Sequence, residues 1–578
     1  MKPARSLLFL VALLVAGLCL GPTHTLADDL PEDTNQVESL TPEQARKLAR
    51  EFPGVMMPHG HRVHDSHTRR TVTSKRCLPL NGLRSIDATT AKALAGYGKG
   101  SLVLNGLSTL DAKAAKGLAG CESGELCLDG LKTLDPKTAK ALAEFKGYSL
   151  TLNGLRTLDP DTAKSLADCG GHKHLGLNGL TTLDTETAQA LAEFSGDLSL
   201  DGLTTLDAYT AKAVAEFKGD YLTLDGLTTL DAETATLLAD FKGGWLHLSG
   251  LRKVDAATVK ALAEFKGTYL SLDGLTALDA DAAKALADCR GDKHLGLNGL
   301  TALDAETAKA LAEFSGYSLY LNGLRMLDAD TAKALAGFKG LGLHLLGLRT
   351  LDAATAKALA ESKSGYLWLD GLRTLDADTA KALAEFKGDS LTLDGLTTLD
   401  ADTAKALAEF KGPKLRLNGL RTVDAATAKA LAEFKGHRLY LGLTTLDTET
   451  AQALAEFKCD FLTLPGLTAL DTETAKVLAA SKQWDGVLPS LTALDSLDSV
   501  VVAQALATRK GVLVLHNLKR ISPKTLTALI EKRDVKIPLI ETLELIPEPD
   551  GSPTVDFVIP EWLEKREKKR RRAGQAAE

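Results

Sequence analysis

Four histidines, His59, His61, His64 and His67, fall within nine residues beside Asp65. Neutral imidazoles at this spacing can ligate Zn, Ni or Cu. Pro58 and Gly60 interrupt the segment, and no periodicity marks a helix or strand that would hold the rings. It is therefore expected to be a solvated polar loop, with opportunistic metal binding as the alternative. Elsewhere there is no Gly-rich phosphate loop, no His-Glu-x-x-His, no Gly-x-Ser-x-Gly and no Cys-x-x-Cys. Those are the patterns that carry a catalytic or phosphate-binding mechanism. No cofactor is expected, and the chain reads as non-enzymatic. An enzyme with its chemistry in a flank, residues 55–76 or 536–563, stands as a third reading.

A second set of residues is built for contact. Tyr221, Trp245, Tyr269, Tyr320, Tyr366, Trp368 and Tyr440 each sit between the two leucines of a Leu-x-Leu triplet or just before it, and His247, His344, Arg416 and Arg438 occupy the same slots. Tyr, Trp and Arg combine large contact area with a polar handle, and they are enriched in binding hot spots. Aromatic faces also suit sugar rings. Most phenylalanines (Phe145, Phe217, Phe265, Phe386, Phe434) stand in a different slot and read as core. The competing reading is that aromatic residues simply favour strands and stack on one another there.

What positions these side chains is a repeat. From Leu78 onward one phrase recurs every 24 residues, with slips to 23 or 25; a clean copy runs from Leu391 through Asp394-Gly395 and Asp400 to Phe410 and Gly412. Leu-x-Leu has the period of a half-buried strand. Asn-Gly or Asp-Gly follows as a turn signal, with Gly expected to supply φ > 0. Asp376, Asp400 and Asp424 then stand where a helix begins and can cap its free N–H groups. Thr403, Leu407 and Phe410 lie at i, i+4 and i+7, one apolar helix face. The closing Gly412 is expected in a left-handed C-terminal cap. Leu40 to Gly54 looks like the helical half alone and suits an N-terminal cap.

One such unit cannot bury its own apolar face, but stacked copies can. Strands would form a parallel ladder ~4.8 Å apart with helices on the other side. Helices prefer about 8–10 Å between axes. The fold class expected is therefore α/β, a curved solenoid of ~24-residue strand-turn-helix repeats, with a parallel concave sheet and convex helices. The Leu-x-Leu, the Asn or Asp after it and the Leu-x-x-Leu leading into the helix resemble the leucine-rich-repeat superfamily, and specifically the irregular leucine-rich-repeat-like proteins of exported bacterial origin. The resemblance covers roughly residues 78 to 533. In the usual motif the Asn lies two residues beyond the strand; here Asn or Asp follows directly, so the superfamily's buried asparagine ladder is not assured. A 120-residue offset relates the segments around Cys169 and Cys289, which points to growth by copying five repeats at a time.

The remaining features bound the setting. Lys2 and Arg5, the apolar run Leu7 to Leu20, and Thr25-Leu26-Ala27 read as a signal peptide over residues 1–27. The run is too short for a retained transmembrane helix, and no other stretch suits one. Export to periplasm, cell surface or medium is expected. Of the six cysteines left after cleavage, only Cys121 and Cys127 are close enough to pair; free buried thiols are the alternative. Residues 28–77 form an acidic linker, the helical half-repeat and the His-rich flank; 78–533 the solenoid; 534–563 a capping segment; and 564–578 a basic disordered tail. The tail offers contact with an anionic envelope polymer. The net charge of −7 gives no general attraction to nucleic acid. The expected function is a binding scaffold whose concave face holds a protein or glycan. The alternative is a structural, self-associating cell-envelope protein.

Overall fold

The computed structural model describes residues 33–56, 63–64, 71–72, 76–98, 100–121, 124–168, 174–289, 291, 293–553, 557 and 559–575. Residues 1–27, read above as a signal peptide, and His59, His61, His67 and Cys169 lie outside these. His64 falls in a two-residue strand, Val63–His64, paired antiparallel with Thr71–Val72. Among the described residues no group of three or more His, Cys, Asp or Glu is placed to hold a metal, and no helix is long and apolar enough to cross a membrane.

The chain divides into two compact units: Met1–Leu227 with Asp240–His247, and Thr228–Ala239 with Leu248–Glu578. Both follow one plan. In the first unit, strands from Arg76–Pro79 to Trp245–His247 pair in parallel, each with the next in sequence and leucine opposite leucine, as in Leu222↔Leu246. In the second, strands from Tyr269–Ser271 to Phe461–Thr463 do the same. An eight-residue helix follows nearly every strand, and successive helices pack side by side. Each unit is therefore an array of strand-turn-helix repeats, the α/β fold class expected from the sequence.

The same physics recurs in most repeats. Asp400 and Asp424 accept from the backbone N–H groups of Thr403 (2.8 Å) and Thr427 (2.7 Å), the capping role their position predicts. Those N–H donors, aided by the threonine hydroxyls, hold both carboxyls below the usual range. The threonine hydroxyl also ties neighbouring repeats together: Thr427 Oγ1 donates to the Leu399 carbonyl at 3.3 Å. The predicted core phenylalanines are all buried, and phenylalanine rings in this slot stack across several successive repeats. Phe386, Phe410 and Phe434 lie 6.1 and 6.3 Å apart with ring planes within 6° of parallel. Cys121 and Cys127 form no disulfide with each other, and both side chains are buried.

Three expectations need correction. The first concerns the asparagine ladder, which does form. The side-chain Oδ1 of Asn105, Asp129 and Asn153 accepts from the backbone N–H of the next repeat's Asx residue at 2.8–2.9 Å. Asp273, Asn298 and Asn322 extend the pattern in the second unit at 2.9–3.0 Å. The strands end one residue before the second leucine (Ser101–Val103 before Asn105, Ser149–Thr151 before Asn153), so the Asx stands two residues beyond the strand and its oxygen points along the stack. The second concerns glycine. Gly412 and the turn glycine Gly395 do not adopt positive φ. A Cβ on Gly412 would lie 2.3 Å from both the Gly388 carbonyl oxygen and Phe410 Cζ; on Gly395 it would lie 1.9 Å from the Asp370 carbonyl oxygen. These glycines are required by close approach between repeats rather than by turn geometry.

The third correction is the basic tail, which is helical over Glu561–Gln575. Leu563 is fully buried. Arg566 Nη1 donates to the Val535 carbonyl at 2.8 Å, and Arg570 Nη1 to that of Ile537 at 2.9 Å. Glu567 Oε1 accepts from Ile540 N–H at 2.8 Å. A terminal strand leaves backbone groups unpaired, and here arginines one helical turn apart satisfy the carbonyls of Val535 and Ile537. At the opposite end, Val55–Met56 pairs antiparallel with Arg76–Cys77, and the helix Pro42–Glu51 begins with a capping box between Thr41 and Gln44.

Candidate functional site

Strand alternation sends the middle leucine of each triplet into the core, where all are 0–4% exposed, and its two neighbours to the outer face of the sheet. Ladder register then aligns equivalent neighbours into two columns. The eleven residues singled out from sequence all lie in these columns, but they form separate groups.

In the first unit, Tyr221, Trp245 and His247 come together. Tyr221 is 6.0 Å from Trp245 and 4.8 Å from His247 between ring centroids, and Trp245 and His247 are 6.4 Å apart. Apart from His174, earlier strands of this unit carry small or acidic residues at the outer positions, including Ser101, Glu125, Ser149 and Asp197.

In the second unit, Tyr320, His344 and Trp368 occupy one column in direct register. Their centroids are 4.0 and 3.9 Å apart, with interplanar angles of 20° and 8°. The strand spacing of ~4.8 Å forces this arrangement. Planar rings on successive rungs meet face to face, so their edges point away from the sheet. Trp368 also leans over Gly342, where a Cβ would meet its ring at 2.5 Å. Tyr366 sets its ring edge-to-face with Trp368 at 5.4 Å and 80°. Tyr269 joins at the near end, 5.9 Å from Tyr320. Burial, with a smaller contribution from His294, holds the His344 imidazole neutral, its pKa lowered to about 3.

Beyond the rung of Ser390 and Thr392, cations take over. The Arg416 guanidinium lies 4.9 Å from the Tyr440 ring centre, and Arg438 lies 4.9 Å from that of Phe461 and 5.8 Å from Tyr440. Lys414 Nζ reaches back to 5.9 Å from the Tyr366 ring. Asp394 accepts from Arg416 Nη2 and Nε at 3.2 and 3.3 Å, which fixes that guanidinium. Among the described residues neither Lys414 nor Arg438 makes an ion pair.

Four members of these columns were missed in the sequence: His174, His294, Lys414 and Phe461. Each directly precedes a core leucine, the slot already used to find Tyr221 and Arg438, so the signal was present. Phe461 was hidden by the assignment of phenylalanine to the helix slot; it is 37% exposed, whereas the helix-slot phenylalanines are buried.

No protein-family model matches the chain, and no curated protein matches it. Among solved structures, it is similar to TLR13 in a complex with ssRNA13 (TM-score 0.37, 18% identity, 80% of this chain and 67% of that one). It is also similar to an internalin from Listeria monocytogenes (TM-score 0.31, 15% identity, 67% and 98%). A third likeness is to Toll in the Drosophila Toll–Spatzle complex (TM-score 0.32, 14% identity, 73% and 54%).

Proposed function

We propose that this chain is an exported, non-enzymatic binding scaffold and that the outer sheet face of its second unit holds a protein ligand. One observation carries the reading. Within the repeat, core leucines and capping aspartates barely vary, whereas the outer strand positions depart from Ser and Thr to Tyr, Trp, His, Lys and Arg. The core needs none of these. Partly exposed rings and cations of this kind are the residue types on which binding energy concentrates. Export rests on Lys2, Arg5, the Leu7–Leu20 run and the small residues before Asp28.

A glycan ligand and a self-associating envelope element are the competing outcomes. The test is a panel of immobilised extracellular proteins and oligosaccharides probed with residues 28–578 and with the Trp368→Ala variant. A protein partner bound by the parent and lost by the variant, with thermal unfolding lowered by no more than about two degrees, supports the reading. Retention of only oligosaccharides would replace protein by glycan. Mass that grows with concentration in light scattering, with no ligand retained, would replace it by self-association.

A further inference from the structure

The outer face of the second unit has a chemical polarity that neither the repeat nor the net charge of −7 anticipates. From Tyr269 to Thr463, no outer position on the strands of this unit is Asp or Glu, while Lys414, Arg416 and Arg438 are cationic. The rings add to the same sign. An aromatic ring is negative on its face and positive at its edge. Tyr320, His344 and Trp368 spend their faces on one another and turn edges outward. The faces of Tyr440 and Phe461 are occupied by guanidinium groups.

That occupancy discriminates between ligands. Sugar rings and nucleobases take hold of aromatic side chains through their faces, and each of these rings already has a face engaged by a neighbouring ring or guanidinium. What points outward is positive ring edges and two cations without ion-pair partners, Lys414 and Arg438. We infer that this face binds an acidic polypeptide segment, its carboxylates meeting Lys414, Arg416 and Arg438 and its backbone lying along the ring edges toward Trp368. Guanidinium groups match carboxylates in a planar, two-pronged geometry. Arg416 is already fixed by Asp394, so less side-chain freedom is lost when it binds. Extended chain presents same-side residues about 6.6 Å apart, within the reach of flexible cations on adjacent rungs.

The inference rests on the sheet face being the binding surface and adds the charge of its partner. Fluorescence anisotropy with a labelled peptide alternating Glu and Ser tests it, beside its Gln-Ser counterpart, an oligogalacturonate and an oligothymidylate of equal charge. The Glu-Ser peptide is expected to bind best, the Gln-Ser peptide about tenfold or more weaker, and the affinity to fall with salt. Arg438→Glu should weaken Glu-Ser binding about tenfold or more, with an unchanged circular dichroism melt, and Lys381→Glu on the helix side should not. No binding of the Glu-Ser peptide, or tighter binding of either non-peptide polyanion, would overturn the inference. Equal binding of both peptides that is lost in Trp368→Ala would overturn the charge preference and leave the sheet face as the binding surface. Glu-Ser binding indifferent to both Arg438→Glu and Trp368→Ala would remove both.

Discussion

The two units share a frame and differ in what they put on it. In the first, the outer strand positions run through Ser101, Glu125, Ser149, His174, Asp197 and Ser199 before reaching Tyr221, Trp245 and His247, and hold no Lys or Arg. In the second, the same slots carry a face-to-face ring stack and three cations and hold no acid. Register, leucine core, threonine ties and phenylalanine stacking are common to both. Fold energetics in this chain therefore reside in the repeated positions, whereas recognition resides in the variable ones, and the two can be perturbed separately.

The largest effects should fall on the shared frame and be equal in both units. Phe217 and Phe434 are 2% and 0% exposed and sit in equivalent stacks. Truncation of either to Ala should cost about 3–5 kcal/mol. Hydrogen exchange would localise the loss to the affected repeats; a marked difference between the units would break the idea of a common frame. Next come the turn glycines. Gly202→Ala would place a Cβ 2.3 Å from the Asn178 carbonyl oxygen, and Gly395→Ala 1.9 Å from that of Asp370. Each should lose about 1–3 kcal/mol through forced backbone displacement, read as a lowered denaturant midpoint. If φ > 0 were the true requirement, Asn would rescue these positions better than Ala; close approach predicts that Asn is no better.

A smaller effect separates the units by charge. Burial raises the Asp370 carboxyl to about 6, against the opposing pull of the Asp394 N–H bond and with a smaller upward push from the Asp394 charge. The folded state then holds a proton that the unfolded chain releases, so stability falls as pH rises from about 4 through 6. Asp370→Asn keeps the ladder oxygen that Asp394 N–H uses at 2.9 Å and removes the charge. It should stabilise the protein by about 1–2 kcal/mol at pH 8, with the gain gone at pH 4. A gain independent of pH would contradict this. The smallest effect on stability is expected from Trp368→Ala, about 1 kcal/mol from lost stacking on His344, readable as a thermal shift of a degree or two.

How much of this was legible follows from the same division. The period of 24, Leu-x-Leu and the Asp before each Thr-Ala-Lys-Ala run disclosed the strands, caps and helices, because those features are local and repeated. Three things were not local. The ladder depends on where an Asx oxygen points across a rung, which spacing alone does not fix. The role of Gly412 and Gly395 depends on backbone atoms of the preceding repeat. The order in the basic tail depends on carbonyls of Val535 and Ile537, some thirty residues earlier, that only the finished ladder leaves open. For the site, the slot rule found eleven residues, but columns, ring orientation and the missing acids emerge only when rungs are in register.

The central claim is that contact occurs on the outer sheet face of the second unit. Hydroxyl-radical footprinting by mass spectrometry, with and without the Glu-Ser peptide, addresses it directly. The account predicts protection of Tyr366, Trp368, Tyr440 and Phe461, with no change at Tyr209 and Met326, which are 79% and 78% exposed elsewhere. Protection at Tyr209 or Met326, or at Tyr221 and Trp245 in place of Trp368 and Tyr440, would contradict it.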